Sequence, residues 1–285
     1  MSESVLSERV TFDSVISCSE LAARYAHADL VIVDCRFDLG APDAGRAAWL
    51  DAHIPGAVYA HLDDCLSGPP STDHGRHPLP PASLIAERCG RLGIGNTSQV
   101  VAYDDSSGMV AARLWWMLRF IGHRAVAVLD GGWSHWVAAG LPVRGGAERR
   151  APCTFVGTPD FARLVCIDAI DADTVLLDAR EPARYRGEVE PIDPVAGHIP
   201  GASNHFWRDN LTADGRFLPP ADLHARLSAA LGAAPNDSTT HYCGSGVSAC
   251  HNSLAQFVAG AGEGRLYCGS WSEWCSDPMR RGMME

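Results

Sequence analysis

The chain has 285 residues, 46% of them hydrophobic and 20% charged, with a formal net charge of -11. That length is generous for one compact core and suits two domains. The negative charge excludes partners that require a basic surface, such as a nucleic-acid backbone or an anionic membrane face, and leaves open a small anionic substrate held by a local set of donors.

The chain opens with Met1-Ser2-Glu3-Ser4-Val5, which has neither the basic flank nor the apolar core of a signal peptide, and no later run approaches membrane-spanning length. A cytoplasmic protein is therefore expected. In a reducing compartment the ten cysteines read as mostly buried thiols with one reactive member. No Cys-x-x-Cys occurs, so neither a structural zinc site nor a dithiol redox motif is expected.

Leu30-Val31-Ile32-Val33 is a short apolar run ending at an acidic residue, the pattern of a buried parallel strand. His53-Ile54-Pro55-Gly56-Ala57 follows as a tight turn, set by proline and glycine, with its histidine bonded to backbone. Val100-Val101-Ala102-Tyr103-Asp104 is a further strand segment. Ala111 to Ile121 is apolar and long enough for a helix. Gly131-Gly132-Trp133-Ser134-His135-Trp136 carries tryptophans best read as packing. The polar stretch Arg144 to Pro152, bearing glycine and proline, reads as a linker, which predicts domains over 1–145 and 146–285.

The same order then recurs about 140 residues on. Leu176-Leu177-Asp178-Ala179-Arg180 repeats Ile32-Val33-Asp34-Cys35-Arg36, and His198-Ile199-Pro200-Gly201-Ala202 repeats the earlier turn unchanged. Thr239 to Cys243 corresponds to Val100 to Asp104, and Gly269-Ser270-Trp271 to Gly131-Gly132-Trp133. A repeat of this size is a duplicated domain, not a solenoid. Thr174 to Leu177 reads as a strand; Ala221 to Leu227 and Ala249 to Ala259 read as helices. Strands alternating with helices imply an α/β fold with a parallel sheet in each half, and ligands lie beyond the carboxyl ends of such strands.

At one such end stands Cys243-Gly244-Ser245-Gly246-Val247-Ser248-Ala249. A strand is predicted to stop at Tyr242 and a helix to start near Ser248. The two glycines let backbone N–H groups turn inward as an anion nest, reinforced by the helix start. That field favours a thiolate nucleophile and a persulfide formed from it. The corresponding place in the first half holds Asp104, so one half carries a nucleophile and the other none. Cysteine phosphatases need an arginine six residues after the cysteine; Ala249 stands there, which disfavours phosphate-ester hydrolysis.

The loop Cys-Gly-Ser-Gly-Val-Ser-Ala resembles the signature of 3-mercaptopyruvate sulfurtransferases, and the paired His-Ile-Pro-Gly-Ala and tryptophan segments resemble both halves of tandem rhodaneses, over about Val31 to Trp274. The resemblance implies two similar α/β domains, the first inactive, with the site at their interface. It implies a double displacement in which 3-mercaptopyruvate, or alternatively thiosulfate, gives sulfane sulfur to Cys243, and a thiol, cyanide or a thiol-bearing protein removes it. No metal or organic cofactor is implied. A sulfur-relay or persulfide carrier is the alternative within the same fold. Arg184 matches the family's substrate-binding arginine and would hold the donor's anionic group, the alternative being a surface ion pair. A second arginine of the mercaptopyruvate enzymes falls at Asp193 here, and Arg186 is the candidate to stand in for it. From the first half, Asp63 and His77 are similar to the family's Asp-x-Cys and His-x-Leu-Pro contexts. With Ser245 they would form a proton relay, His74 being a rival to His77. Gly244, Gly246, Val247 and Ser248 would line the donor site. Cys250 reads as a buried thiol, with a resolving role as the alternative.

Overall fold

A computed structural model describes residues 11–71 and 73–281; the segment Met1 to Val5, read above as lacking a targeting signal, lies outside the described residues. The first half forms β1 (Val15–Ile16), β2 (Leu30–Asp34), β3 (Val58–Tyr59), β4 (Gln99–Tyr103) and β5 (Val126–Leu129). The second forms β6 (Leu164–Val165), β7 (Leu176–Asp178), β8 (Ser203–Asn204), β9 (Thr240–Tyr242) and β10 (Arg265–Tyr267). Each set is one five-stranded sheet, ordered β1-β5-β4-β2-β3 and β6-β10-β9-β7-β8, so the duplication seen in the sequence is a duplication of topology. Every strand pair is parallel. β2 is apolar up to Asp34 because both of its faces are covered; all five of its residues are buried.

The register brings the chemistry-bearing ends together. Asp34 pairs with Tyr103 and Asp178 with Tyr242, so Asp104 and Cys243 leave their sheets at matching places. The two turns also match. His53 Nδ1 donates to the Trp49 carbonyl at 2.6 Å, and His198 Nδ1 to the Tyr185 carbonyl at 2.7 Å. Gly56 and Gly201 share a φ of 81°, a left-handed value that favours glycine.

The helix Ala111–Phe120 is buried along its whole length, and it packs on Ser248–Val258, whose residues from Ala249 to Gln256 are also buried. Most of its residues are apolar, as burial on every side favours, and Arg113 and Arg119 are the exceptions. One core cluster runs from Val31 and Trp116 in the first half to Ala249 and Leu254 in the second. The halves are thus fused by common packing. Trp115, Trp116, Trp136 and Trp271 are among the largest fully buried side chains. The second half's first long strand begins at Leu176, later than the apolar run from Thr174 suggested. There Thr174 Oγ1 donates to Asp171 Oδ1 at 2.8 Å and accepts the Asp171 N–H at 3.0 Å, closing a turn in place of a strand. Among the described residues, no helix is long and apolar enough to cross a membrane.

Beyond β4, four backbone N–H groups converge on the Asp104 carboxylate. Ser106 and Gly108 each bond Oδ1 at 2.8 Å, while Val110 and Ala111 bond Oδ2 at 2.7 and 2.8 Å. The first half's nest is filled by its own side chain. Asp104→Ala would leave those donors buried without an acceptor and should cost about 2–4 kcal/mol of unfolding free energy. Urea denaturation measures this; a loss below about 0.5 kcal/mol would mean that the carboxylate does not hold the loop.

Candidate active site

Cys243 follows β9 directly, and its peptide is stitched to the segment after β10. The Cys243 N–H donates to Ser270 Oγ at 3.1 Å, the Cys243 carbonyl accepts the Trp271 N–H at 3.0 Å, and the Gly244 carbonyl accepts the Ser272 N–H at 2.9 Å. Ser270 takes a φ of 56°, unusual for a residue with a side chain, and its hydroxyl donates onward to the Tyr267 carbonyl at 2.9 Å. Gly246 has a φ of 77°, and a Cβ there would stand 2.3 Å from the Cys268 carbonyl oxygen, so only glycine fits. In this turn the Gly246 N–H points back at the Cys243 Sγ, 3.1 Å away. The sulfur receives a backbone donor from its own loop, as the nest reading expects.

Cys243 is only 2% exposed, yet it lines a cavity of about 410 Å³ between the halves, together with Gly244, Ser245, Val247 and Ser248. Gly246 contributes its N–H rather than a wall. From the first half come Phe37, Leu62, Arg76 and His77; from the second, Arg184 and Trp207.

Ser245, His77 and Asp63 are brought into one chain of contacts. Ser245 Oγ and His77 Nδ1 lie 2.7 Å apart, and His77 Nε2 stands 3.4 Å from Asp63 Oδ1. The carboxylate favours the proton on Nε2, which leaves Nδ1 to accept the serine hydroxyl. Burial, with Arg113 and Arg76 nearby, pushes the His77 imidazole down to about 3, so at neutral pH it is an uncharged base. His74 does not compete: its side chain is exposed and lies 3.7 Å from Glu273.

Two arginines from the first half went unread in the sequence. Arg113 is completely buried inside the apolar helix. It donates to the carbonyls of Gly246 at 3.0 Å, His77 at 3.2 Å and Leu66 at 3.3 Å, and its Nη1 reaches Cys268 Sγ at 3.1 Å. One guanidinium therefore ties the cysteine loop to the segment carrying His77. A cation within a largely apolar helix, which also holds Arg119 near its end, was its only sequence signal. Arg76 stands beside His77 and forms an ion pair with Asp193.

Arg184 lines the cavity, but the edge of its fork is already engaged. Nε and Nη2 bond Glu190 at 3.2 and 2.6 Å, and Nη2 also reaches Asp193 at 3.3 Å. Arg186 is not brought to the site: its side chain is 54% exposed, paired with Glu188 at 2.6 Å, and absent from the cavity wall. Cys250 is fully buried, donates to the Gly246 carbonyl at 3.3 Å, and is pushed up to about 12 by burial, which makes it a poor nucleophile. Among the described residues, no group of three or more His, Cys, Asp or Glu side chains is arranged to hold a metal ion.

This geometry can be set against known proteins. A Pseudomonas aeruginosa protein provisionally named 3-mercaptopyruvate sulfurtransferase is 48% identical over 273 residues, spanning 93% of this chain and 96% of its own. A Mycobacterium tuberculosis protein provisionally named thiosulfate sulfurtransferase SseB is 41% identical over 273 residues, spanning 93% and 95%. The structure of 3-mercaptopyruvate sulfurtransferase from Leishmania major matches with a TM-score of 0.85 at 31% identity, covering 95% of this chain and 77% of that one. The rhodanese-like domain model matches twice, over residues 17–139 and 166–277, the two stretches that hold the paired sheets. With both halves matched and the duplicated topology in place, the chain belongs to the rhodanese family as a tandem pair of rhodanese-like domains.

Proposed function

We propose that the chain is a 3-mercaptopyruvate sulfurtransferase in which residues 1–145 form the noncatalytic half and residues 146–285 carry the nucleophile. This rests above all on the 2.7 Å contact between His77 Nδ1 and the Oγ of Ser245, which shares the loop of Cys243. In the first step the Cys243 thiolate attacks the donor's sulfur. The carbon–sulfur bond breaks, its electron pair stays on carbon, and the proton of the donor thiol ends on that carbon, giving pyruvate and a Cys243 persulfide. Ser245, His77 and Asp63 are the groups that would move this proton. In the second step a thiolate or cyanide attacks the outer sulfur, the sulfur–sulfur bond breaks, and the Cys243 thiolate returns.

The first half supports the persulfide. An aspartate side chain extends one atom beyond the position of a cysteine sulfur, as a persulfide does. Asp104 oxygens, ringed by four N–H groups, mark where the outer sulfur of a Cys243 persulfide would find its donors.

The relay also bears on the donor. Thiosulfate has no thiol proton at neutral pH, so a Ser-His-Asp chain has nothing to move, whereas mercaptopyruvate needs that service. The loop Gly244 to Ser248 contributes no cationic side chain of its own. All ten cysteines are unpaired thiols, the state a reducing compartment maintains, so a cytoplasmic setting belongs to the same reading.

Cys243→Ser should abolish transfer from both donors while the fold persists, and donor-treated wild type should gain about 32 Da on the peptide containing Cys243. Retained turnover in the mutant would remove Cys243 as the nucleophile. For wild type, kcat/KM with mercaptopyruvate should exceed that with thiosulfate by at least about tenfold, a difference of roughly 1.4 kcal/mol; a thiosulfate preference would overturn the donor assignment.

His77 makes a separate prediction. Its imidazole titrates at about 3 in the fold, against 6.5 ordinarily. Between those values the unfolded chain binds a proton that the folded chain refuses. The penalty is absent above about pH 6.5 and grows as pH falls, at up to about 1.4 kcal/mol per unit. His77→Gln should therefore lose stability less steeply than wild type across that window in urea titrations. Parallel curves would show that His77 is not buried as a neutral group.

A further inference from the structure

Arg184 alone is a constrained receptor for a donor's anionic group, because Glu190 and Asp193 already hold its Nε and Nη2. Among the described residues its Nη1 makes no hydrogen bond or ion pair. Arg76 has a complementary arrangement. Its Nη1 is paired with Asp193, while Nη2 has no partner among the described residues and Nε is buried without one. The single Asp193 carboxylate therefore spans the two domains, with Oδ1 on Arg76 and Oδ2 on Arg184. It is itself buried, and its N–H is fixed on Glu190 Oε1 at 3.1 Å.

The two acids grip the guanidinium groups from one side and leave nitrogens facing Gly244. A Cβ built on Gly244 would stand 3.2 Å from Arg76 Nη2 and 3.7 Å from Arg184 Nη1. The space that a side chain of Gly244 would fill is thus flanked by an arginine from each half, next in sequence to the nucleophile. The main chain of Arg76 is pinned as well. Its N–H donates to Ser272 Oγ at 3.0 Å, and the preceding Gly75, with a φ of 79°, passes so close to Gly269 that a Cβ would sit 2.6 Å from its carbonyl oxygen.

We infer that Arg76 of the first domain is a second donor-binding residue, that its Nη2 and Arg184 Nη1 form a two-arginine seat for the donor's carboxylate over Gly244, and that Asp193 is the positioning carboxylate that holds the two apart. This rests on the mercaptopyruvate reading above. The donor's carboxylate lies three bonds from its sulfur, so a sulfur at Cys243 brings the carboxylate beside the following residue. Planar guanidinium nitrogens from two directions suit the two oxygens of such a group. The departure at Asp193 and the presence of Arg76 are then one feature: the second cation comes from the other domain, and the acid is its anchor.

The test separates loading from discharge. The donor's carboxylate is present only while sulfur is being loaded, so Arg76→Met should raise KM for mercaptopyruvate roughly 10- to 100-fold. Discharge to cyanide of enzyme already persulfurated at Cys243 should keep its wild-type rate, and Arg76→Lys should recover part of the KM loss. An unchanged KM in Arg76→Met, alongside a wild type that loads normally, would overturn the seat and leave the proposed function intact. Equal slowing of loading and discharge would make Arg76 a structural residue and would also overturn it. Failure of the wild type itself to load from mercaptopyruvate would remove the donor assignment, and this seat with it.

Discussion

The first half ends its central strand in a ring of inward N–H groups, and the second turns the Gly246 N–H inward at the matching place; such donors must meet negative charge or lone pairs when they are buried. The first half meets this constraint with Asp104 and is finished as a structural unit. The second meets it with the Cys243 sulfur, which accepts from Gly246 and still faces an open cavity. In the proposed function, chemistry arises where the turn is left to a sulfur that can be extended, so that related turns serve packing in one copy and reactivity in the other.

The first half is nonetheless part of the site. Arg113 reaches from its buried helix to the Gly246 carbonyl, and the same guanidinium holds the His77 carbonyl. Because a guanidinium stripped of water must be met by acceptors, and three carbonyls meet it here, the cysteine loop and His77 are held in register by the requirement to satisfy one buried cation. The shared core around Trp116 and Leu254 keeps the halves at a fixed distance, which is what a contact between Ser245 and His77, 168 residues apart, demands.

Much of this was legible in the sequence because it is local. The repeat, the strand ends and the glycine turn depend on short patterns, and the structure has Cys243 directly after β9 and the next helix at Ser248. What escaped is long-range or angular. Arg184 lies in the short helix Pro182–Tyr185, and Arg186 follows two positions later, roughly 200° around a helical axis, so the two could not share a face. His74 and His77 are separated by Gly75, whose left-handed turn against Gly269 directs the chain so that His77 faces the cavity and His74 faces water. The pairing of Arg76 with Asp193 joins residues 117 apart across two domains, and no spacing in either segment announces it.

In the proposed mechanism the turn beyond β9 receives the transferred sulfur as the turn beyond β4 receives Asp104. A crystal structure of the donor-treated protein tests it most directly. The expected result is an outer sulfur on Cys243, lodged within hydrogen-bonding distance of several N–H groups of the Gly244 to Ala249 loop. An added sulfur on Cys250 or Cys268, or one on Cys243 directed away from the loop amides into the open cavity, would contradict it.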